Sequence, residues 1–296
     1  MFRRFLAAAV LLVAALPASA QSKPKVVATF SILGNLVFEI AGDRVDLAVL
    51  VGPDTNAHTY QPKPSDARTL AVAQALVSNG LGFEGWMDRL AKAAPFTGRA
   101  VVATQGVPTL EAQSSHGHDH GADPHCWQDV SRTRRYVANI ADGLAAADSI
   151  NAAYYRERAR GYDQRLALLD EWIRAEIAKV PSAQRKAITG HDSFRYFAQA
   201  YGVQFEAPRG YNTESEPSAR DVAALIRLVR EQKIKALFIE NMTNPTLIQE
   251  IARESGGVVG SRLYSDALSS PDGLAATYEA MMRHNVTALV AGMLKN

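Results

Sequence analysis

NAAYYRERARGYDQRLALLDEWIRAEIAKV, residues 151–180, is followed at once by Pro181. Tyr155, Tyr162, Leu166, Leu169 and Ile173 fall on one helical stripe, and the proline ends it. As one helix, about 30 residues extend roughly 45 Å. That is long for a helix inside one small domain. The segment is expected to act as a rigid connector, which makes the sequence on either side of it the next question.

Upstream, strands alternate with helices. Val26–Phe30 is a short apolar run leading into a helical pattern at Ile32–Ile40, which Gly42 closes. Val45–Val51 reads as a second strand, and Gly52-Pro53-Asp54 as a turn. Ser65-Asp66 opens a helix to about Gln74, Ala75–Ser78 is a strand, Gly85–Ala93 a helix and Ala100–Thr104 a strand. From about Ser131 to Val180 only helix formers appear. Beyond Pro181 the alternation returns, with strands at Ala187–Gly190, Val203–Phe205, Ile234–Ile239 and Val258–Val259. Helices are expected at Asp221–Gln232, Asn244–Ser255 and Gly273–Leu294. Such alternation implies parallel sheets covered on both faces. The expected class is α/β, with two lobes, each a central and mostly parallel sheet flanked by helices, joined by one long rigid helix. The N-terminal lobe would span 21–150, the connector 151–180 and the C-terminal lobe 181–296. No sequence repeat between the halves is evident, although their element order is similar.

The first twenty residues stand apart from this pattern. Arg3 and Arg4, an apolar run from Phe5 to Leu16, and Ala18-Ser19-Ala20 form the three parts of a secretory signal, with cleavage expected after Ala20. The apolar run is too short to span a membrane as a helix. A lipid-anchored protein would carry cysteine just after the cleavage point, where Gln21 and Ser22 stand, so a soluble periplasmic protein is expected. Setting those twenty aside leaves 276 of the 296 residues and lowers 32 basic against 30 acidic residues to 30 against 30. That balance gives no electrostatic case for nucleic acid or anionic lipid. One cysteine, Cys126, excludes an intramolecular disulfide. It is expected to be a small buried residue: neighbours on an extended segment face opposite ways, so if His125 faces a site, Cys126 faces a core.

Chemistry concentrates in the histidines. Of seven, His116, His118 and His120 share the segment Ser114–Asp123, and His284 lies in the last helical stretch, where a structural or exposed role is expected. His58, His125 and His191 each stand in a loop after a strand, and Asp266 follows the strand around Val258. Ligands bind at such strand ends in parallel α/β sheets. The four are 67, 66 and 75 residues apart, two per half, so they can meet only in a cleft between the lobes. Three imidazoles and a carboxylate suit a borderline divalent ion, zinc first. Manganese prefers more oxygen ligands and is less favoured. Against this, a lone loop histidine is more often a surface or hydrogen-bonding group, and aspartate is common in turns. The 114–123 segment has only small residues between its histidines and acids, so it is expected to be mobile, with weak exchangeable zinc binding as its use. Glu240, at a strand end, is a candidate to support a ligand histidine, with a helix cap or surface role as alternatives.

At these loops the sequence resembles a known family. Gly52-Pro-Asp-Thr-Asn-Ala-His58-Thr-Tyr-Gln-Pro-Lys-Pro-Ser-Asp66 is similar to the first metal loop of the zinc and manganese solute-binding proteins of ABC transporters (cluster A-I, zinc type). Asp123-Pro-His125-Cys-Trp-Gln-Asp129, Gly190-His191-Asp-Ser-Phe-Arg-Tyr-Phe197 and Tyr264-Ser-Asp266-Ala-Leu268 are similar to the second, third and fourth. The resemblance implies an ion held between two lobes and delivered to a membrane permease driven by a separate ATPase. Histidine at the third position, His191, usually accompanies zinc. Cys126 stands where an apolar residue is common, and the histidine segment is short. A monomer is expected, with a periplasmic metallochaperone as a further candidate partner.

Two other functions compete. A periplasmic zinc hydrolase would leave the fourth metal position open for water, with Glu206, Glu214 or Glu216 as candidate bases. An adhesin or storage role has no positive feature in the sequence.

Overall fold

The computed structural model describes residues 22–112, 121–214 and 216–296. The expected leader and the histidines at 116, 118 and 120 lie outside them. β1 (Lys25–Phe30) is buried from Val26 onward, as a strand with neighbours on both sides and helices on both faces must be. It passes without a loop into α1 (Ser31–Ala41), and β2 (Asp46–Val51) returns beside it. α2 (Pro64–Ala71), β3 (Ala75–Ser78), α3 (Met87–Ala93), β4 (Arg99–Val102) and α4 (Val130–Ala147) complete the first lobe's elements. The second series contains β5 (Lys186–Ile188), α6 (Arg195–Tyr201), β6 (Gln204–Glu206), α7 (Ala219–Glu231), β7 (Ala236–Leu237), α8 (Thr246–Ser255), β8 (Val258–Val259) and α9 (Tyr278–Met293).

Both sheets are parallel throughout, in the orders β2-β1-β3-β4 and β6-β5-β7-β8. The halves therefore share one topology, although no repeat shows in the sequence. Each sheet places the carboxyl ends of its strands at the face where the lobes meet, and that geometry positions everything described below.

The connector is α5, Ala152–Ala178, 27 residues long. Tyr155, Ala159, Tyr162, Leu166, Leu169, Ile173 and Ile177 form its buried stripe. It lies against α4 and α1 on one side and α9 and α6 on the other. One hydrophobic core runs from Val26 in the first lobe through this stripe to Phe238 and Met293 in the second. A smaller cluster, including Ile188, Leu225 and Ile251, covers the outer face of the second sheet.

Several boundaries move from their expected places. The last helix begins at Tyr278 rather than Gly273, because Ser269 and Ala275 close a loop on each other (Ser269 N to Ala275 O, 3.0 Å; Ala275 N to Ser269 Oγ, 3.0 Å) and Thr277 then caps the helix through Ala280 N. α3 begins at Met87 rather than Gly85, α8 at Thr246 rather than Asn244, and α2 ends at Ala71 rather than Gln74. The strand expected over Ile234–Ile239 shrinks to Ala236–Leu237. There the side chain of Asn296 accepts from Lys235 N and Ala236 N at 2.6 and 3.1 Å and donates to Gln184 O and Lys186 O at 2.8 and 2.7 Å. An amide side chain thus takes the place of a strand residue between β5 and β7.

Candidate metal centre

His58 stands in the loop after β2. Its backbone N–H donates to Asn56 Oδ1 at 3.0 Å, and Trp86 Nε1 holds Ala57 O at 2.8 Å, so the loop is tied both locally and to its own lobe. The His58 ring meets Phe83 edge-on at 4.7 Å. Phe83 also packs on Phe30 and Trp127, and Trp127 on His125, so this side of the site is an aromatic wall.

His125 stands at the start of a 3-10 turn, Cys126–Gln128. One Asp123 oxygen, Oδ1, accepts from His125 N at 3.0 Å and lies 2.8 Å from Nδ1, which fixes both backbone and ring. The segment is a turn rather than an extended strand, so alternation of faces is not what directs Cys126. The thiol is nevertheless fully buried, and burial pushes it up to about 11. A protonated thiol among core residues is no ligand. Behind the turn, the buried Glu84 carboxylate accepts from Thr29 Oγ1, Asn79 N and Gly80 N, and Asn79 Nδ2 donates to Pro124 O at 3.0 Å. The ends of β1 and β3 are thereby fastened to the second loop.

His191 follows β5 by three residues. Glu240 is buried, contrary to a cap or surface role, and its Oε1 accepts from Gly190 N and His191 N at 2.7 and 3.0 Å while Oε2 lies 2.7 Å from His191 Nδ1. A Cβ on Gly190 would lie 2.9 Å from Oε1, so the close approach needs glycine there. Asp266 comes from the loop after β8. Its neighbour Ser265 offers a carbonyl to Trp127 Nε1 and Gln128 Nε2 at 2.8 and 2.9 Å, a grip from the opposite lobe. Asn285 of α9 pairs with both N and O of Tyr264 on the other flank.

These four side chains converge. His58 Nε2 is 3.3 Å and His191 Nε2 3.0 Å from Asp266 Oδ2, and His125 Nε2 is 3.6 Å from Oδ1. One ligand atom from each lies within 4.8 Å of all the others, and all four residues are buried. Three Nε2 atoms and both Asp266 oxygens make no hydrogen bond elsewhere among the described residues. Buried polar atoms are ordinarily paired, so five orphans facing one point call for a cation. A tetrahedron with arms of about 2.0–2.1 Å has edges of about 3.3–3.4 Å, which the observed separations bracket.

The electrostatics agree. Burial alone would favour a protonated Asp266, but the surrounding imidazoles, His191 first, hold its carboxyl well below the usual range. Burial likewise opposes charge on His191, yet Glu240 and Asp266 outweigh it and hold His191 well above the ordinary imidazole range. Glu240 is lowered in return, chiefly by His191 against the effect of burial. His58 differs: burial pushes it down, and Asp266 offsets this only in part.

The remaining candidates lie elsewhere. His284 Nε2 donates to Arg262 O at 2.8 Å, and its ring packs on Tyr264. Glu206, Glu214 and Glu216 are exposed. Asp123, Trp127, Gln128 and Asn285 are supporting residues that the sequence reading did not single out. Only Asp123, two residues before His125, carried a signal that could have been read.

Residues 26–292 match the family model described as zinc-uptake complex component A, periplasmic (ZnuA). The chain is 32% identical over 269 residues to the manganese-binding lipoprotein MntA of Halalkalibacterium halodurans, covering 91% of this chain and 88% of that one. To the iron-binding protein YfeA of Yersinia pestis it is 29% identical, covering 93% and 88%. Among solved structures, the periplasmic zinc-binding protein TroA of Treponema pallidum superposes with a TM-score of 0.86 at 29% identity, covering 92% of this chain and 99% of that one.

Proposed function

The chain belongs to the family of periplasmic zinc-uptake component A proteins, the metal-binding components of ABC importers, and from that premise we propose that it captures zinc with His58, His125, His191 and Asp266 and delivers it to the importer's permease. The observation that carries this reading is the set of five buried, otherwise unpartnered donor atoms from four loops and two lobes. Three imidazoles with a carboxylate form a donor set suited to zinc. The family consists of transport proteins rather than enzymes, so a hydrolase reading is set aside. Asp266 then closes the shell where a catalytic site would admit water.

Manganese is the second reading, and relatives named as manganese-binding favour it. Both Asp266 oxygens face the imidazoles, so a fifth donor is at hand for an ion that wants more oxygen. Export by the leader at residues 1–20 completes the account, and relatives named lipoproteins give a membrane-tethered alternative. No helix among the described residues is long and apolar enough to cross a membrane.

Elemental analysis of the protein purified from its own cell envelope, followed by competitive titration of zinc against manganese, tests the choice of cargo. One zinc per chain and preference for zinc are expected. Manganese at one per chain, retained in the presence of zinc, would overturn the zinc reading.

A further inference from the structure

The three imidazoles are held unequally. His125 and His191 each rest Nδ1 on a fully buried carboxylate, Asp123 and Glu240. Among the described residues His58 pairs with no carboxylate but Asp266, itself one of the donors. It is also the one member of the four with any exposure, 6% against 0% for the others. A ligand without an outer carboxylate is both less firmly oriented and less basic. Its loop, 52–63, contains no helix or strand and turns through Asp54 in the left-handed region at φ 51°.

What fixes this loop against the opposite lobe is a short row of polar contacts. Asp54 N donates to Leu268 O at 2.9 Å, and Asn241 Nδ2 donates to Asp54 Oδ1 at 2.8 Å. Asn56 Nδ2 donates to Thr213 Oγ1 at 2.8 Å while its Oδ1 accepts from His58 N. One side chain therefore touches both a donor residue's backbone and the other lobe. Asn241 is placed similarly, adjoining Glu240 in sequence and reaching Ala267 O, beside Asp266, at 3.2 Å.

We propose that Asn56 and Asn241 are positioning residues that couple apposition of the lobes to the seating of His58, so that the ion exchanges by release of the His58 loop while His125 and His191 stay locked. This rests on the reading of the four residues as the cargo site. Hydrogen bonds at a partly exposed rim, the one to the Asp54 carboxylate included, are individually modest; they bias a loop without freezing it, and loops open in nanoseconds to microseconds. A carboxylate lock on His58 would remove that freedom.

Stopped-flow release of Zn2+ from the loaded chain into excess chromogenic chelator tests the proposal. Thr213→Val removes the acceptor of the Asn56 contact with little change of shape, and Asn241→Ala removes the other latch. Each is expected to speed release about fivefold, as loss of an ordinary hydrogen bond implies, with one ion still bound per chain and the metal-free melting temperature unchanged. Arg165→Gln serves as control: Arg165 of α5 joins Glu39 of α1 and Glu279 of α9, a lobe-to-lobe clamp away from the site. Its release rate should match the parent. Unchanged release in both latch variants overturns the proposal, as does equal acceleration by Arg165→Gln, which would mean general loosening. A parent chain that fails to load Zn2+ would instead sink the cargo-site reading.

Discussion

Glu240 meets the third ligand loop at three points, two backbone N–H groups and the Nδ1 of His191. Through them it orients the ring and keeps Nε2 aimed at Asp266. Replacing it by glutamine keeps the shape but removes the charge, so Glu240→Gln should weaken zinc binding about 10–100-fold. The measurement is chelator competition at about pH 8, where competing protonation is weakest; a change below twofold would show that the carboxylate does not tune His191. The ligand candidates themselves were legible, because a loop histidine after a parallel strand is placed by topology. Their supporting residues were far less so. Asp123 reads as an ordinary turn acid, and Asn56 as an ordinary loop residue, since a sequence does not reveal which side chain reaches across to a facing lobe. Cys126 was placed correctly in the core for an inapplicable reason, a strand where the chain makes a 3-10 turn.

The elements were easiest to read where periodicity is long. The connecting helix, expected over 151–180, occupies Ala152–Ala178, because its apolar stripe from Tyr155 to Ile177 persists for about six turns. The second sheet was harder: β7 and β8 are two residues each, and an inserted side chain, Asn296, does work that backbone pairing usually does. Nothing in periodicity reports such an insertion. Close approach of α4 to β4 is likewise invisible in the pattern. A Cβ on Gly143 would meet Val101 Cγ2 at 2.3 Å and Cγ1 at 2.8 Å, and a branched side chain on a strand has little room to yield. Alanine gains about 1 kcal/mol of helix propensity, but overpacking costs about 1–3 kcal/mol. Gly143→Ala should therefore lower stability by up to about 2 kcal/mol in urea unfolding, and a stabilised variant would show that the interface adapts.

As a whole, the molecule is two like-wound lobes on one core, with their strand ends turned toward each other. A continuous core along α5 resists wide opening, which leaves small lobe rotations and loop release as the routes for cargo. The site's charge links that cargo to pH. Glu240 and Asp266 hold His191 above its ordinary value despite burial, so at neutral pH an entering ion must displace a proton from it. The loaded state binds fewer protons, and zinc affinity should rise with pH between about 6 and 8, by up to tenfold per unit for each proton displaced. His58, pushed down by burial with Asp266 offsetting this only in part, adds less than His191. Competition titrations across the interval, corrected for the chelator's own protonation, check the slope; a flat profile would mean that His191 enters the reaction already neutral. The convergence of four distant side chains on one ion is tested most directly by anomalous diffraction at the zinc edge from crystals of the zinc-loaded chain. One strong peak is predicted, about 2.0–2.2 Å from Nε2 of His58, His125 and His191 and from an Asp266 carboxylate oxygen. A peak elsewhere, or one that leaves any of the four beyond bonding distance, would contradict it.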